Sequence, residues 1–409
     1  MTEKETQIQS LQKELLECID RTTEISDEEI YDEIDALIMK RSKEKYMSLL
    51  QRSQLRKELF NGIRKLDILQ DLIDDDNITE IMINGTDGVF IERNGAVTKW
   101  DRRISSKEKL EDIVQQIAGR CNRIVNESVP IVDARLENGA RVNVVLAPIA
   151  LNGPIVTIRR FPDQPITMEE LIAWGSVSRE VVDFLEKLVI AGYNIFISGG
   201  TGSGKTTFLN ALSNFIPKSE RIVTIEDNAE LQILGVENLV RMEARKGNTE
   251  GEYEITIRDL IKTSLRMRPD RIIVGEVRGE EAIDMLQSLN TGHDGSLSTG
   301  HGNSPRDMLS RLETMVLMGL ELPVSAIRRQ IASGIDIMIH LGRMRDRSRK
   351  VLEILEITGY RHETEEICTR TLFEFLEDKG KGGEEFSGKL VKREPLTNSQ
   401  KLLRAGVWE

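Results

Sequence analysis

The chain has 409 residues, 39% of them hydrophobic, enough for two or three domains with real cores and too apolar for global disorder. Acidic residues outnumber basic ones 68 to 56, a formal charge of −12, which argues against a protein whose main task is coating nucleic acid. Three single cysteines, Cys18, Cys121 and Cys368, form neither CxxC nor a zinc spacing, the polar N-terminus "MTEKETQIQS" lacks the apolar core of a signal peptide, and no stretch reaches the roughly 18 apolar residues of a membrane span, so a reduced, cytoplasmic protein is expected.

Residues 1–65 read as a helical N-terminal extension, with Leu and Ile at three- and four-residue steps in "IQSLQKELLECI" and "SLLQRSQLRKELFNGIRKL". Ser26 opens "SDEEIYDEIDALI" as a cap before an acidic first turn, and the charge runs read as solvated faces. Residues 66–160 read as a small α+β domain. "ITEIMINGTDGVFIERNGAVTKW" alternates and turns at Asn84-Gly85, Asp87-Gly88 and Asn94-Gly95, "SSKEKLEDIVQQIAGRC" is an amphipathic helix, and "RVNVVLAP" and "PIVTIRRF" are strands. Residues 161–175, "FPDQPITMEELIAWG", read as a linker. From 176 to 376 helix and strand alternate, with strands in "NIFISG", "RIVTIED", "RIIVGEV" and "GSLSTGH", which predicts an α/β domain on a parallel sheet. Residues 377–409 read as a C-terminal tail that begins with "EDKGKGGEEFSGK", expected to be mobile.

The chemistry concentrates in four segments of the α/β domain. Gly199 to Thr206 fits G-x-x-x-x-G-K-[ST] between a strand and a helix. Gly199, Gly200, Thr201, Gly202, Ser203 and Gly204 can turn backbone N–H groups onto phosphate oxygens, and the helix start through Thr207 adds its dipole. Lys205 is placed to reach the β- and γ-phosphates and Thr206 to ligate Mg²⁺, so ATP and Mg²⁺ are the expected ligands. Glu276, at the end of "RPDRIIVGEV", is the carboxylate for Mg²⁺ through water. Glu226, Asp227 and Glu230 in "TIEDNAEL" offer a base for the attacking water. In "TGHDGSLSTGHGNS", His293 and His301 flank a strand of small residues, a poor core pattern, and could sense a γ-phosphate; metal binding is the weaker alternative.

In this order the four segments resemble the Walker A, Asp box, Walker B and His box of the type II/type IV secretion ATPase superfamily, over roughly residues 66–375. "VDARLENGARVNVVLAPIALNGPIVTIRRF", "TGSGKTT", "TIEDNAEL" and "STGHGNSPRDMLSRLETMVLMG" look like its CpaF-like branch, which serves Flp/Tad pilus assembly. The resemblance implies a homohexameric ring whose subunits carry a RecA-like domain, with ATP between it and the N-terminal domain. It implies partners among inner-membrane platform proteins of a pilus or secretion machine, a cytoplasmic place at the inner membrane face, only indirect membrane contact and no nucleic acid. Matching "RVN" and "IRRFP" nominates Arg141 and Arg159 for the γ-phosphate, with Arg160 the near alternative. Glu230 becomes the catalytic carboxylate with Glu226 close behind, and Arg278 falls in the Walker B segment. The sequence departs from other branches in lacking a four-cysteine zinc module, and Gly302 stands where Ala is common. A conjugation-type secretion ATPase and a nucleotide-gated scaffold with little turnover remain as alternatives. A nucleic-acid translocase is opposed by the acidic balance.

Overall fold

The computed structural model describes residues 8, 10–15, 25–44, 46–93, 95–104, 106–121, 123–136, 138–160, 165–245, 247, 253–377 and 388–407. The chain divides into two compact units, Met1–Asp163 and Gln164–Glu409.

The first unit starts with two helices, α1 (Asp27–Glu44) and α2 (Leu49–Arg64). They bury Ile30, Ile34, Leu37 and Ile38 against Leu59 and Phe60, together with Leu11 and Leu15. The i, i+4, i+7, i+8 spacing on α1 is what puts those side chains on one stripe. A short α3 (Gln70–Ile73) leads into strands β1 (Ile78–Asn84), β2 (Val89–Arg93) and β3 (Ala96–Lys99), then helix α4 (Lys107–Arg120). Strands β4 (Ile131–Arg135), β5 (Arg141–Val145) and β6 (Ile155–Arg159) complete a six-stranded sheet in the order β3-β2-β1-β6-β5-β4. Every pairing in it is antiparallel. One face is buried: Ile81, Ile83, Val142, Val144, Val156 and Ile158 share a core with Leu110, Ile113, Val114 and Ile117 of α4. The strand β4 carries too little alternation for the sequence to announce it.

The second unit opens with α5 (Met168–Ala173), a turn fixed by a capping box between Thr167 and Glu170. Residues 165–175 thus hold a helix whose Met168 and Leu171 enter the core of this unit, where the sequence suggested only a linker. There follow α6 (Arg179–Ile190), β7 (Ile195–Gly199), α7 (Lys205–Ser213), β8 (Ile222–Glu226), β9 (Leu239–Glu243), α8 (Ile257–Ser264) and β10 (Arg271–Val277). Next come α9 (Ala282–Leu289), β11 (Leu297–His301), α10 (Pro305–Gly319), α11 (Val324–Gly334) and β12 (Ile337–Arg343). The long strands β13 (Arg349–Arg361) and β14 (Glu366–Glu377), then β15 (Gly388–Lys392) and α12 (Gln400–Ala405), close the chain.

Nine strands form one sheet, β15-β14-β13-β12-β7-β11-β10-β8-β9. From β12 to β9 it is parallel, and from β12 to β15 antiparallel. Consecutive residues of the parallel strands enter different cores. Ile195, Ile197, Ile222 and Ile273 meet α6 and α7, while Phe196, Val223, Ile272 and Val274 meet helices α8 to α11. Helices cover both faces, so these strands must be apolar throughout.

The segment expected as a tail is partly built into this unit. Strand β15 pairs with β14, Leu402 is buried, and the Glu356 carboxylate accepts from the Thr397 and Asn398 backbone N–H groups and the Thr397 hydroxyl. Lys401 bridges Asp294 and Asp336 at 2.8 Å each. These contacts give residues 388–407 enough partners to order them; residues 378–387 lie outside the described part.

Candidate active site

Strand β7 delivers the glycine loop directly to the N-terminus of α7. Gly202 and Gly204 hold φ of +70° and +91°, which favours glycine at both positions. A Cβ at Gly199 would come within 2.5 Å of the Leu341 carbonyl, whereas nothing lies within 4 Å of one at Gly200 or Gly202. The loop backbone therefore faces open space. Helix α7 starts at Gly204 without a side-chain cap, so its first N–H groups, which no helix can pair internally, are left for a ligand. Ser203 Oγ is buried with no hydrogen-bond partner. Thr201 is exposed, and Thr206 and Thr207 are half-buried on the first turn.

Lys205 folds back across the loop. Its ammonium donates to the carbonyls of Gly199 and Gly200 at 3.1 Å each and to His301 Nδ1 at 3.2 Å. Burial pulls its pKa below the usual lysine value. His301, the last residue of β11, presents Nε2 at 2.8 Å from Glu276 Oε1. Burial also lowers the His301 pKa, so the ring is neutral near pH 7; with Nδ1 accepting from Lys205, its proton sits on Nε2, facing Glu276. The other Glu276 oxygen accepts from Arg278 Nε at 2.9 Å and Nη2 at 2.6 Å, and Arg278 reaches Asp227 Oδ2 at 3.3 Å. Strand ends β7, β11 and β10 are neighbours, which is why residues about 70–100 positions apart in sequence meet here.

Glu226 closes the cluster from β8. Its Oε1 accepts from the N–H groups of Glu230 at 2.9 Å and Leu231 at 2.8 Å, while Oε2 is buried without a partner. Burial pushes its pKa up to about 7, and the nearby Glu230 charge adds to the rise. A Cβ on Gly275 would lie 2.9 Å from Glu226 Cγ, so the residue before Glu276 has to be glycine for this carboxyl to fit.

Two participants carry no local signal in the sequence. Arg349, the first residue of β13, donates from Nε to the Gly202 carbonyl at 2.9 Å. His340, buried on β12, sits opposite Ser198 with Nδ1 2.9 Å from the Ser198 hydroxyl, directly under the loop. Beside the first turn of α7 lies a cavity of about 240 Å³ lined by Ile166, Leu171, Trp174, Thr207, Phe208 and Val351, with Arg349 and Ser203 at its edge. An apolar slot next to a phosphate-type cradle has the chemistry of a base pocket.

The other candidates fall elsewhere. His293 precedes β11 at the opposite end of the strand, where its Nδ1 contacts the Ser288 carbonyl at 3.2 Å. A strand of five residues at ~3.3 Å each keeps it ~16 Å from the His301 end. The expectation that both histidines meet the phosphates is therefore corrected for His293: Ser296 and Leu297 must start the strand before the chain can reach the loop. In the first unit, Arg141 and Arg159 face each other across β5 and β6, and Glu80 continues the row on β1. Arg160 instead points to Asp76 at 2.7 Å and to the Asp75 carbonyl.

The profile of the family described as Type II/IV secretion system protein matches residues 63–376. A Methanocaldococcus jannaschii protein described as uncharacterized is 41% identical over 277 residues, which are 66% of this chain and 38% of that relative, so this chain spans little more than a third of its length. A Mycobacterium tuberculosis protein named for conjugal transfer is 33% identical over 293 residues, 70% of this chain and 83% of that one. The X-ray structure of the Legionella pneumophila ATPase DotB superposes with a TM-score of 0.51 at 21% identity, over 73% of this chain and 81% of that chain, a likeness of fold. The second unit is accordingly a RecA-like P-loop domain.

Proposed function

This chain belongs to the Type II/IV secretion system protein family, and from that premise we propose that it is a motor ATPase. In this reading a homohexamer hydrolyses ATP to power a Flp/Tad-type pilus or a related secretion machine, docked on its inner-membrane platform proteins at the cytoplasmic face. Among the described residues no helix is long and apolar enough to cross a membrane.

The observation that carries the reading is the contact chain Lys205–His301–Glu276 at the uncapped start of α7. The open loop and the orphaned Ser203 hydroxyl fit a polyphosphate, and the neighbouring cavity fits its base. On binding, Lys205 exchanges the Gly199 and Gly200 carbonyls for phosphate oxygens, which suits an ammonium already desolvated. Thr206, on the first turn after the loop, and Glu276, through water, are the groups that would hold a phosphate-bound Mg²⁺, which would neutralise developing charge. Glu230 orients and deprotonates the attacking water, with Glu226 fixing its turn through the two backbone hydrogen bonds. His301, joined to both Lys205 and Glu276, reports γ-phosphate loss to the strand ends. Arg141 and Arg159 are assigned to the γ-phosphate charge.

A conjugation-type ATPase is the second reading, favoured by the relative named for conjugal transfer. Capture with Glu276→Gln from the native cell separates the two: pilus-platform proteins in the eluate support the first reading and conjugation-channel proteins the second. The ATPase itself is tested by following turnover and light-scattering mass against protein concentration, with Lys205→Ala as control. The rate per subunit is expected to rise as hexamers form and to vanish in Arg141→Ala. Well-formed hexamers that bind ATP without turnover, even with the platform protein added, would leave only a scaffold.

A further inference from the structure

The end of α1 and the start of α2 are basic and greasy on a predominantly acidic chain. Residues 39–52, "MKRSKEKYMSLLQR", contain five basic residues, Lys40, Arg41, Lys43, Lys45 and Arg52, against the single acid Glu44. Tyr46, Leu49 and Leu50 are 88%, 84% and 79% exposed, and Met39 is 62% exposed. Large apolar side chains this open are rare in one short segment, and here four of them sit among lysines.

The segment is also held in shape. Ser48 caps α2 with a reciprocal capping box, its hydroxyl accepting from Gln51 N–H while Gln51 accepts from Ser48 N–H. That places Leu49 and Leu50 on the first turn, outward, with no core to turn to. Further down, Tyr31 stacks on Phe60 at 4.2 Å, and Arg56 lies over Tyr31 while bonding Asp35 at 2.8 Å. Glu14 engages Lys40 and Arg41 at 2.9 and 3.0 Å, which ties the end of α1 without cancelling the segment's excess charge.

We propose that this segment docks directly on an anionic lipid bilayer surface, with Tyr46, Leu49 and Leu50 entering the headgroup region and the lysines pairing with lipid phosphates. The charge selects the occupant: a net positive cluster on a chain of formal charge −12 is drawn to an extended negative surface that can also take up exposed apolar side chains. Tyrosine is suited to that boundary because its ring is apolar and its hydroxyl wet. The docking does not depend on the nucleotide site. It adds direct membrane contact to a protein otherwise expected to touch the membrane only through partners.

The test is co-sedimentation of the full chain with vesicles of phosphatidylcholine alone or mixed with phosphatidylglycerol, at low and high salt. Binding to the anionic vesicles, loss of that binding at high salt and none to the neutral ones are expected. Lys43→Glu/Lys45→Glu and Tyr46→Ser/Leu49→Ser/Leu50→Ser should each weaken binding at least about tenfold while leaving the far-UV spectrum and the ATPase rate unchanged. Equal binding to neutral vesicles, or variants that sediment like the parent chain, would overturn the proposal. So would a parent chain that ignores vesicles but forms larger species, which the Ser variant abolishes: the segment would then be a contact between copies.

Discussion

The two ends of the nine-stranded sheet differ in how their charged and amide side chains are satisfied. At the end where the parallel strands begin, the polar side chains of Asn194, Asp336 and Arg271 are each matched. Asn194 donates to the Gly334 carbonyl and accepts from the Gly295 and Ser296 N–H groups, and Asp336 takes the Asn194 N–H and Lys401. Arg271, nearly inaccessible, pairs with Glu220 and donates to the Val189 carbonyl at 2.6 Å. At the end where the strands finish, Ser203 Oγ and Glu226 Oε2 have no partner, and Lys205 hydrogen-bonds to loop carbonyls and His301. Leaving buried groups unsatisfied costs stability, so the fold tolerates it where a ligand completes the set. One end fastens the sheet and the other keeps its hydrogen-bonding capacity in reserve.

Removing Arg271 should break this division most severely. Arg271→Met leaves Glu220 and the Val189 carbonyl without their partner, and should lower the urea stability of the second unit by about 3–5 kcal/mol. The fraction still folded should bind nucleotide as the parent does; impaired nucleotide affinity in folded protein would show that the fastened end reaches the site. At the other end, Lys205→Ala should cut turnover about 10²–10³-fold, about 3–4 kcal/mol in the barrier, while shifting the urea midpoint little, because the ammonium it removes is already desolvated. A large loss of stability in that variant would erase the contrast.

Glu226 gives the pH signature. Its pKa is raised from 4.5 to about 7, so the folded state holds the proton more tightly than the unfolded one. The stability it brings is complete below pH 4.5 and is lost as pH rises through about 7, about 3 kcal/mol in all. Glu226→Gln should match the parent in acid and exceed it in stability by that order at pH 8, measured by urea midpoints across the range. A difference independent of pH would mean that the carboxyl is ionised throughout. The smallest effect sharpens the contrast. His293→Ala should alter turnover by less than about twofold, within the range of substitutions away from a site, whereas His301→Ala should lower it at least about tenfold.

How much of this was legible depended on sequence distance. The loop from Gly199 to Thr206 announces itself because its parts are consecutive. Glu276 and His301 could be singled out because each lies in the last two residues of a short apolar or small-residue strand. His293 has the same kind of neighbours as His301, but one strand length separates them, and local pattern does not say which end of a strand faces the loop. Arg349 and His340 were invisible: "RDRSRK" reads as a solvated charge run, and His340 as one residue of a core strand, until β12 and β13 bring them beside β7. Lys401 was hidden for a similar reason, since its partners Asp294 and Asp336 lie far upstream.

The docking of residues 388–407 makes the second unit separable into two pieces that should still recognise each other. Strand β15 pairs along β14, Glu356 grips Thr397 and Asn398, the Asn398 carbonyl accepts from the Tyr193 hydroxyl, and Leu402 is buried. A protease site engineered between 378 and 387 would therefore yield two bands on a denaturing gel and one particle on a sizing column. The short fragment, made as a peptide, would serve as a complementation tag whose rebinding reports on the fastened end of the sheet.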